Sequence, residues 1–225
     1  MGWNEWMRTV EIEPSIYAAD FSRLGEQLET LLRAGARVFQ FDVGDGHFVE
    51  PITIGPIVLE SISPVVHRMG GVLDVHLMVE QPAKHFHAVA EAGGDSVTFH
   101  YEAVEDIAGN VRQARELELG VGLAFNPETA AADVAAAADG VDLVLCMSIH
   151  PGYSGQPFMP EAIDRVRDLR GLLPAGMHIQ VDGGVGPDNV RELRDAGADL
   201  LVAGSSIFKH EDIVRAYRRL VQDLQ

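Results

Sequence analysis

The sequence predicts an α/β protein, a single (β/α)8 TIM barrel over residues 1–225. Three observations carry that expectation. Eight apolar, strand-like runs alternate with amphipathic stretches from end to end, the pattern of a parallel sheet with crossover helices. The strings "RAGARVFQFD", "EAGGDSVTFH" and "DAGADLLVAG" each pass from a helix end through Ala-Gly into a strand, with Gly suited to the left-handed position after a last helical turn. The first strand is followed by "PSIYAADF"; a doubly wound open sheet usually carries a glycine-rich nucleotide loop there.

The first strand is expected at 10–18, "VEIEPSIYA". The following helix shows Phe21, Leu24, Leu28, Leu31 and Leu32 at the spacing of one helix face, with Asp20 as its cap and Gly35 as its stop. The second strand is expected at 37–43, "RVFQFDV", where Val38, Gln40 and Asp42 share one face and Phe39, Phe41 and Val43 the other. An amide and a carboxylate on an otherwise buried strand call for an explanation. Further strands are read at 72–79, 96–102, 120–126, 141–149, 178–184 and 199–205, and further helices at 55–63, 82–93, 104–118, 129–139, 159–172, 187–196 and 211–223.

Composition narrows the partners. Lys plus Arg number 17 against 34 Asp plus Glu, a net charge of −17. Such a chain is a poor ligand for nucleic acid or an anionic membrane, so neither partner is expected. A phosphate site would have to be local and built from backbone amides. No apolar run approaches the ~20 residues of a membrane span. The first 14 residues lack the apolar region of a secretory signal, and Trp6 stands where a myristoylation signal has Ser or Thr. Cys146 is the single cysteine, which excludes an intrachain disulfide and suits a cytoplasmic location.

Barrel enzymes carry their chemistry at the C-terminal ends of the strands. Those ends present Ser15, the pair Gln40 and Asp42, the alternating Asp74, His76 and Met78, then His100, Asp182, and Gly204 with Ser205. Each residue alone could be a solvated strand-end group. Asp42, His76 and Asp182 together can form a divalent-metal cage. Gly183 and Gly184 after strand seven, and Gly204 and Ser205 after strand eight, permit close approach of backbone N–H groups to a phosphate. The segment Gly152, Tyr153, Ser154 and Gly155 after strand six is expected to lie over the same ligand. His100 is open between a pocket residue and a satisfied strand-end histidine.

The segments "PSIYAADF", "FDVGDGHFV", "LDVHLMVE", "MSIHPGYSGQPF", "VDGGV" and "VAGSSIF" resemble, in order, the signature segments of ribulose-phosphate 3-epimerases, from about Glu13 to Phe208. The resemblance implies a metal-dependent isomerase of carbohydrate metabolism and the pentose phosphate pathway. It would invert C3 of D-ribulose 5-phosphate to give D-xylulose 5-phosphate through an enediolate. It makes Asp42 and Asp182 the acid/base pair, and metal ligands together with His76. Ser15 and His76 would contact the sugar, and Met78 and Met147 would line the pocket. Gly152, Tyr153, Ser154, Gly155, Gly183, Gly184, Gly204 and Ser205 would hold the phosphate end. One divalent metal ion is implied (Mn, Fe, Zn, Co or Mg). A small-molecule sugar phosphate is the expected partner, and a homo-oligomer the expected assembly.

Two positions depart from the family pattern. Gln40 stands where the family has a metal-binding His; as a ligand, its amide oxygen favours Mn²⁺, Mg²⁺ or Fe²⁺ over zinc, and the alternative is that Gln40 only hydrogen-bonds substrate or Asp42. Gly44 stands where the family has Met, which is expected to leave room for a larger or differently placed substrate. The alternatives are therefore an epimerase of a ketohexose 6-phosphate such as allulose 6-phosphate, and a non-catalytic sugar-phosphate sensor. A related-barrel decarboxylase is disfavoured, because His76 occupies the place of its strand-three lysine.

Overall fold

A computed structural model describes residues 3–7 and 10–224. Its eight strands are β1 (Glu11–Pro14), β2 (Val38–Gly44), β3 (Val72–Met78), β4 (Ser96–His100), β5 (Gly120–Phe125), β6 (Leu143–Met147), β7 (His178–Asp182) and β8 (Leu200–Ala203). All pair in parallel in one sheet of order β1-β8-β7-β6-β5-β4-β3-β2. β1 and β2 are the two ends of that order, and a single parallel bridge between Ser15 and Gln40 closes the ring. The helices are a short α1 (Trp3–Trp6), then α2 (Leu24–Ala34), α3 (Pro56–Arg68), α4 (Ala83–Glu91), α5 (Ile107–Glu116), α6 (Ala131–Ala137), α7 (Glu161–Leu172), α8 (Val190–Ala196), α9 (Ser205–Phe208) and α10 (Ile213–Asp223). The (β/α)8 expectation holds, and none of the helices is long and apolar enough to cross a membrane among the described residues.

Two boundaries moved for physical reasons. The strand expected to reach residue 18 ends at Pro14, and Ile16–Ala18 form a 3-10 turn closed by Ala19 N–H on the Ile16 carbonyl. The helix expected to stop before Pro64 runs to Arg68. Proline removes one helical donor, and the Ser63 hydroxyl lies 3.5 Å from the Glu60 carbonyl that loses its partner.

The two faces of each strand have different surroundings. On β2, Phe39, Phe41 and Val43 join the core shared with the helices, where Leu28, Leu31 and Leu59 also sit. The alternate residues face the barrel interior. Its lower end is closed by α1. Trp3 is 1% exposed, and it packs with Trp6, Val38, Val72, Leu143 and Leu200. Trp3 and Trp6 meet edge to face with ring centroids 5.2 Å apart. Gly120 makes room for them: a Cβ there would lie 3.1 Å from each indole. Arg37 fixes the segment by donating to the Trp6 carbonyl.

Two of the three Ala-Gly echoes, those leading to Asp95 and Asp199, mark a clamp at this lower rim that Asp142 repeats. Asp95 donates its N–H to the Leu73 carbonyl at 3.0 Å, and its carboxylate accepts the Leu73 N–H at 2.8 Å. Asp142 closes the same ring on Val121, and Asp199 on Ile179. Each carboxylate also meets a cationic or imidazole group: His67, Arg115 and Arg170 respectively.

Halfway up the barrel lies a polar layer. The Gln180 side-chain amide donates to Glu13 at 2.6 Å and to Asp74 at 3.0 Å; Ser96 and Thr98 also donate to Asp74. Glu13 is fully buried, and its pKa is raised well above the ordinary range by burial and then by the charge of Asp74, against the opposing Gln180 hydrogen bond. The folded state therefore keeps a proton that the unfolded chain releases once pH passes about 4.3. Stability from this group is complete below that pH and is lost as pH rises towards the folded pKa. Glu13→Gln is expected to raise the melting temperature at pH 8 and to converge with the parent near pH 4. Equal offsets in thermal melts at both pH values would rule out the ionisation cost as the cause.

Candidate active site

The upper ends of β1, β2, β3 and β7 bring Ser15, Gln40, Asp42, His76 and Asp182 together. In the register, Asp42 lies beside His76, and the bridge sets Ser15 beside Gln40. Asp42 is the hub. Its Oδ2 accepts from the Ser15 hydroxyl at 2.7 Å. Its Oδ1 accepts from Gln40 Nε2 at 2.8 Å and lies 3.0 Å from His76 Nδ1. Gln40 Nε2 also donates to Asp182 Oδ2 at 2.9 Å, so one amide spans both carboxylates. The polar residues on β2 thus face the barrel mouth, while its aromatic residues face the helices.

The electrostatics separate the acid from its surroundings. Burial, followed by the charge of Asp42, raises Asp182 to about 7, although His76, Gln40 and the Gly183 N–H favour its ionised form. For His76, burial opposes the charged form, but the hydrogen bond and charge of Asp42, with Asp182 and Asp74, outweigh it and raise the pKa. A carboxyl that takes up a proton near neutrality beside another carboxylate suits proton transfer.

The donor set also fits a cation. Ligand atoms of Asp42, His76 and Asp182 all lie within 4.8 Å of one another. Gln40 Oε1 is buried and has no hydrogen-bond partner in the protein. The oxygen and nitrogen of an amide are assigned from the hydrogen-bond network. Turning this amide over aims its oxygen at the two carboxylates, an arrangement that suits a metal ion held between them and not a bare carboxylate pair.

Above these groups is a cleft lined by Ser15, Asp42, Met78, Met147 and Asp182 at its base. Its rim is formed by Gly152, Tyr153, Ser154, Gly155, Gly183, Gly184, Gly204 and Ser205. Every rim residue expected to hold a phosphate therefore borders one cleft. Gly183 adopts φ +119°, and a Cβ there would lie 2.4 Å from the Ile149 side chain, so only glycine allows the β6 and β7 loops to meet. His76, expected to touch the sugar, is fully buried below the cleft wall.

The room expected beside Gly44 is absent. A Cβ at that position would lie 2.9 Å from the Pro51 carbonyl oxygen and 2.9 Å from Val49. The segment after β2 folds back onto the strand instead. Thr53 Oγ1 accepts from Gly44 N–H at 2.6 Å and donates to the Asp42 carbonyl at 2.8 Å. Asp45 secures the turn by accepting from the His47, Phe48 and Glu80 N–H groups. Glycine here admits the loop, and the loop fills the space that a side chain at this position would occupy.

Sequence reasoning missed Tyr17, Ile149, Val185 and Val202, which also line the cleft. Tyr17 could have been found from its position two residues after Ser15. The three aliphatic residues look like ordinary core in a sequence. The open question at His100 is resolved towards burial: it is fully enclosed, with Nε2 2.9 Å from His76 Nε2.

The model of the ribulose-phosphate 3 epimerase family matches residues 11–208. Ribulose-phosphate 3-epimerase of Escherichia coli strain K12 is 38% identical over 222 residues, covering 97% of this chain and 96% of that protein. The protein of the same name from Bacillus subtilis strain 168 is 35% identical over 211 residues, covering 92% and 96%. Among solved structures, thiamine phosphate pyrophosphorylase from Pyrococcus furiosus superposes with a TM-score of 0.69 at 17% identity, covering 96% of this chain and 95% of that one; at that identity the likeness speaks for the fold alone.

Proposed function

The chain belongs to the ribulose-phosphate 3-epimerase family, and from that premise we propose that it interconverts D-ribulose 5-phosphate and D-xylulose 5-phosphate. The observation that carries the reading is the pair Asp42 and Asp182, brought from β2 and β7 to one mouth and spanned by a single amide. Epimerisation at C3 requires one group to take a proton from one face and another to return it to the opposite face. Asp42 and Asp182 serve as these two groups, exchanging roles with the direction of reaction.

The rim glycines, with Tyr153, Ser154 and Ser205, hold the phosphate through backbone N–H and hydroxyl groups, which suits a chain of net charge −17. Anchoring the phosphate fixes C3 between the carboxylates. Ser15 orients Asp42 by its hydrogen bond, and Met78 and Met147 exclude water beside the reacting carbon. Asp42, His76, Asp182 and the turned Gln40 would hold one divalent metal ion. When bound, that ion supplies positive charge that stabilises the enediolate. The filled space beside Gly44 removes the ground for a larger substrate such as allulose 6-phosphate.

A steady-state assay with both sugar phosphates, in the presence of added divalent metals, tests the assignment. Turnover of ribulose 5-phosphate well above that of allulose 6-phosphate is expected. Binding of the pentulose phosphate with no solvent-deuterium exchange at C3 under every metal condition would instead identify a sensor. Gln40 sets metal choice in this reading. Protein grown in mixed-metal medium is expected to carry manganese, iron or magnesium, and Gln40→His is expected to move the bound metal towards zinc. Elemental analysis decides the point: stoichiometric zinc in the unmodified protein would count against it.

A further inference from the structure

His76 presents two ring nitrogens to two different neighbours. Nδ1 faces Asp42 and Asp182. Nε2 faces His100 Nε2 at 2.9 Å, and the two rings stack with centroids 5.1 Å apart. One proton lies between those two nitrogens, and its owner decides what the other end of His76 can do. If it belongs to His76, then Nδ1 can offer its lone pair to a cation. If it belongs to His100, a neutral His76 must carry its proton on Nδ1, where it blocks a metal.

The far side of His100 carries the information that chooses. His100 Nδ1 lies 3.4 Å from Glu102 Oε2. The other carboxylate oxygen, Oε1, is already committed: it accepts from the Asn126 N–H at 2.8 Å and from the Thr129 hydroxyl. Oε2 is therefore the oxygen turned to the histidine, and a carboxylate oxygen can only accept. It faces His100 Nδ1 within ion-pair range rather than in a formed hydrogen bond, and its charge favours a proton on that nitrogen. A neutral His100 then has a bare Nε2, which accepts from His76.

We infer that Glu102, at the surface, and the enclosed His100 form a relay that fixes the direction of the His100–His76 hydrogen bond and reserves His76 Nδ1 for the metal ion. Both are positioning residues, since neither reaches the cleft. Phe48 covers the His100 end, with its ring centroid 4.8 Å from that of His100. The inference rests on the proposed metal role of His76, and it extends the site outward to β4 and the loop after β5. Partners of this kind orient metal-binding histidines and set their donor strength.

Glu102→Gln reverses the relay without changing its shape. The amide oxygen must take the Oε1 place, because two donors point there, so the NH2 group must face His100 Nδ1. That nitrogen then becomes an acceptor and the proton moves to His100 Nε2. The test compares the parent, Glu102→Gln and Glu102→Asp, with thermal melts to verify folding. Nitrogen-15 imidazole spectra are taken on the zinc-loaded proteins, because without a metal Asp42 Oδ1, 3.0 Å from His76 Nδ1, also calls for a proton there; they are expected to show His100 protonated at Nδ1 in the parent and at Nε2 in Glu102→Gln. Competition with a chelator for Mn²⁺ and Zn²⁺ is expected to show metal affinity lowered about 10–100-fold in Glu102→Gln, with partial recovery in Glu102→Asp. An unchanged His100 tautomer in folded Glu102→Gln would overturn the relay. If the parent itself takes up no metal, the metal reading fails and the relay with it; metal uptake with an unchanged His100 tautomer in Glu102→Gln overturns the relay alone.

Discussion

Asp42→Asn and Asp182→Asn are each expected to lower kcat for C3 epimerisation by about 10²–10⁴-fold, the usual worth of a positioned general acid or base. Both replacements keep the side-chain volume, so the cleft is preserved; because both carboxylates also belong to the candidate metal cage, bound metal is measured alongside, and the pattern of hydrogen exchange is what assigns the loss to proton transfer. The two variants should differ in a specific way. With one carboxylate left, a proton can still be removed from one face and returned to it. Each variant is therefore expected to exchange C3 hydrogen with deuterated solvent in one epimer only, and the two variants should select opposite epimers. Mass spectrometry of recovered substrate reads this directly. Exchange into both epimers at the parent rate in either variant would remove that residue from the acid/base pair.

The second large effect is on stability. Trp3→Ala is expected to cost about 3–5 kcal/mol, as for other buried aromatic truncations. Trp3 is 1% exposed and fills the lower barrel beside Trp6, Val38, Val72, Leu143 and Leu200. These are residues at or near the lower ends of their strands, so the loss opens a hole beneath the sheet rather than at its edge. At about 2–4 °C per kcal/mol for a chain of this size, the melting point should fall by on the order of 10 °C. KM and kcat at 25 °C should stay close to the parent, because the cleft lies at the opposite end of the barrel. A melting point within about 2 °C of the parent would show that the indole is not part of the folded core.

Much of this architecture was legible because barrels write their pattern with short range. The eight strands are continuous apolar runs, and the alternation of Gln40 and Asp42 with Phe39 and Phe41 separated mouth from core without any knowledge of neighbours. Asp42, His76 and Asp182 could be placed together because parallel strands bring equivalent ends to one rim. The parts that were not legible depend on contacts distant in sequence. Pro64 marks a helix end in local terms, but α3 continues because Ser63 can take the orphaned Glu60 carbonyl. Gly44 suggested space, whereas the space is taken by Val49 and Pro51 from a loop that folds back. Glu102 reaches its partners through Asn126 and Thr129, a pairing across two loops that no periodicity announces. The tryptophans of "WNEW" were invisible as core because a helix of four residues has no periodic face to display.

The lower-rim clamps have a broader consequence. Residues 37, 95, 142 and 199 each stand before an even-numbered strand, and each passes its carbonyl to the start of the next strand, at Val72, Gly120, His178 and Glu11. The closed end of the barrel thus keeps a four-part pseudo-rotation, with two strands to each quarter, that the open end has abandoned in favour of chemistry. Three quarters carry an aspartate at this position. The fourth carries Arg37, which approaches Glu11 and donates to the Trp6 carbonyl. The place where the rotation breaks is the place where α1 is received, so the asymmetry gives that helix a single seat among four otherwise equivalent ones.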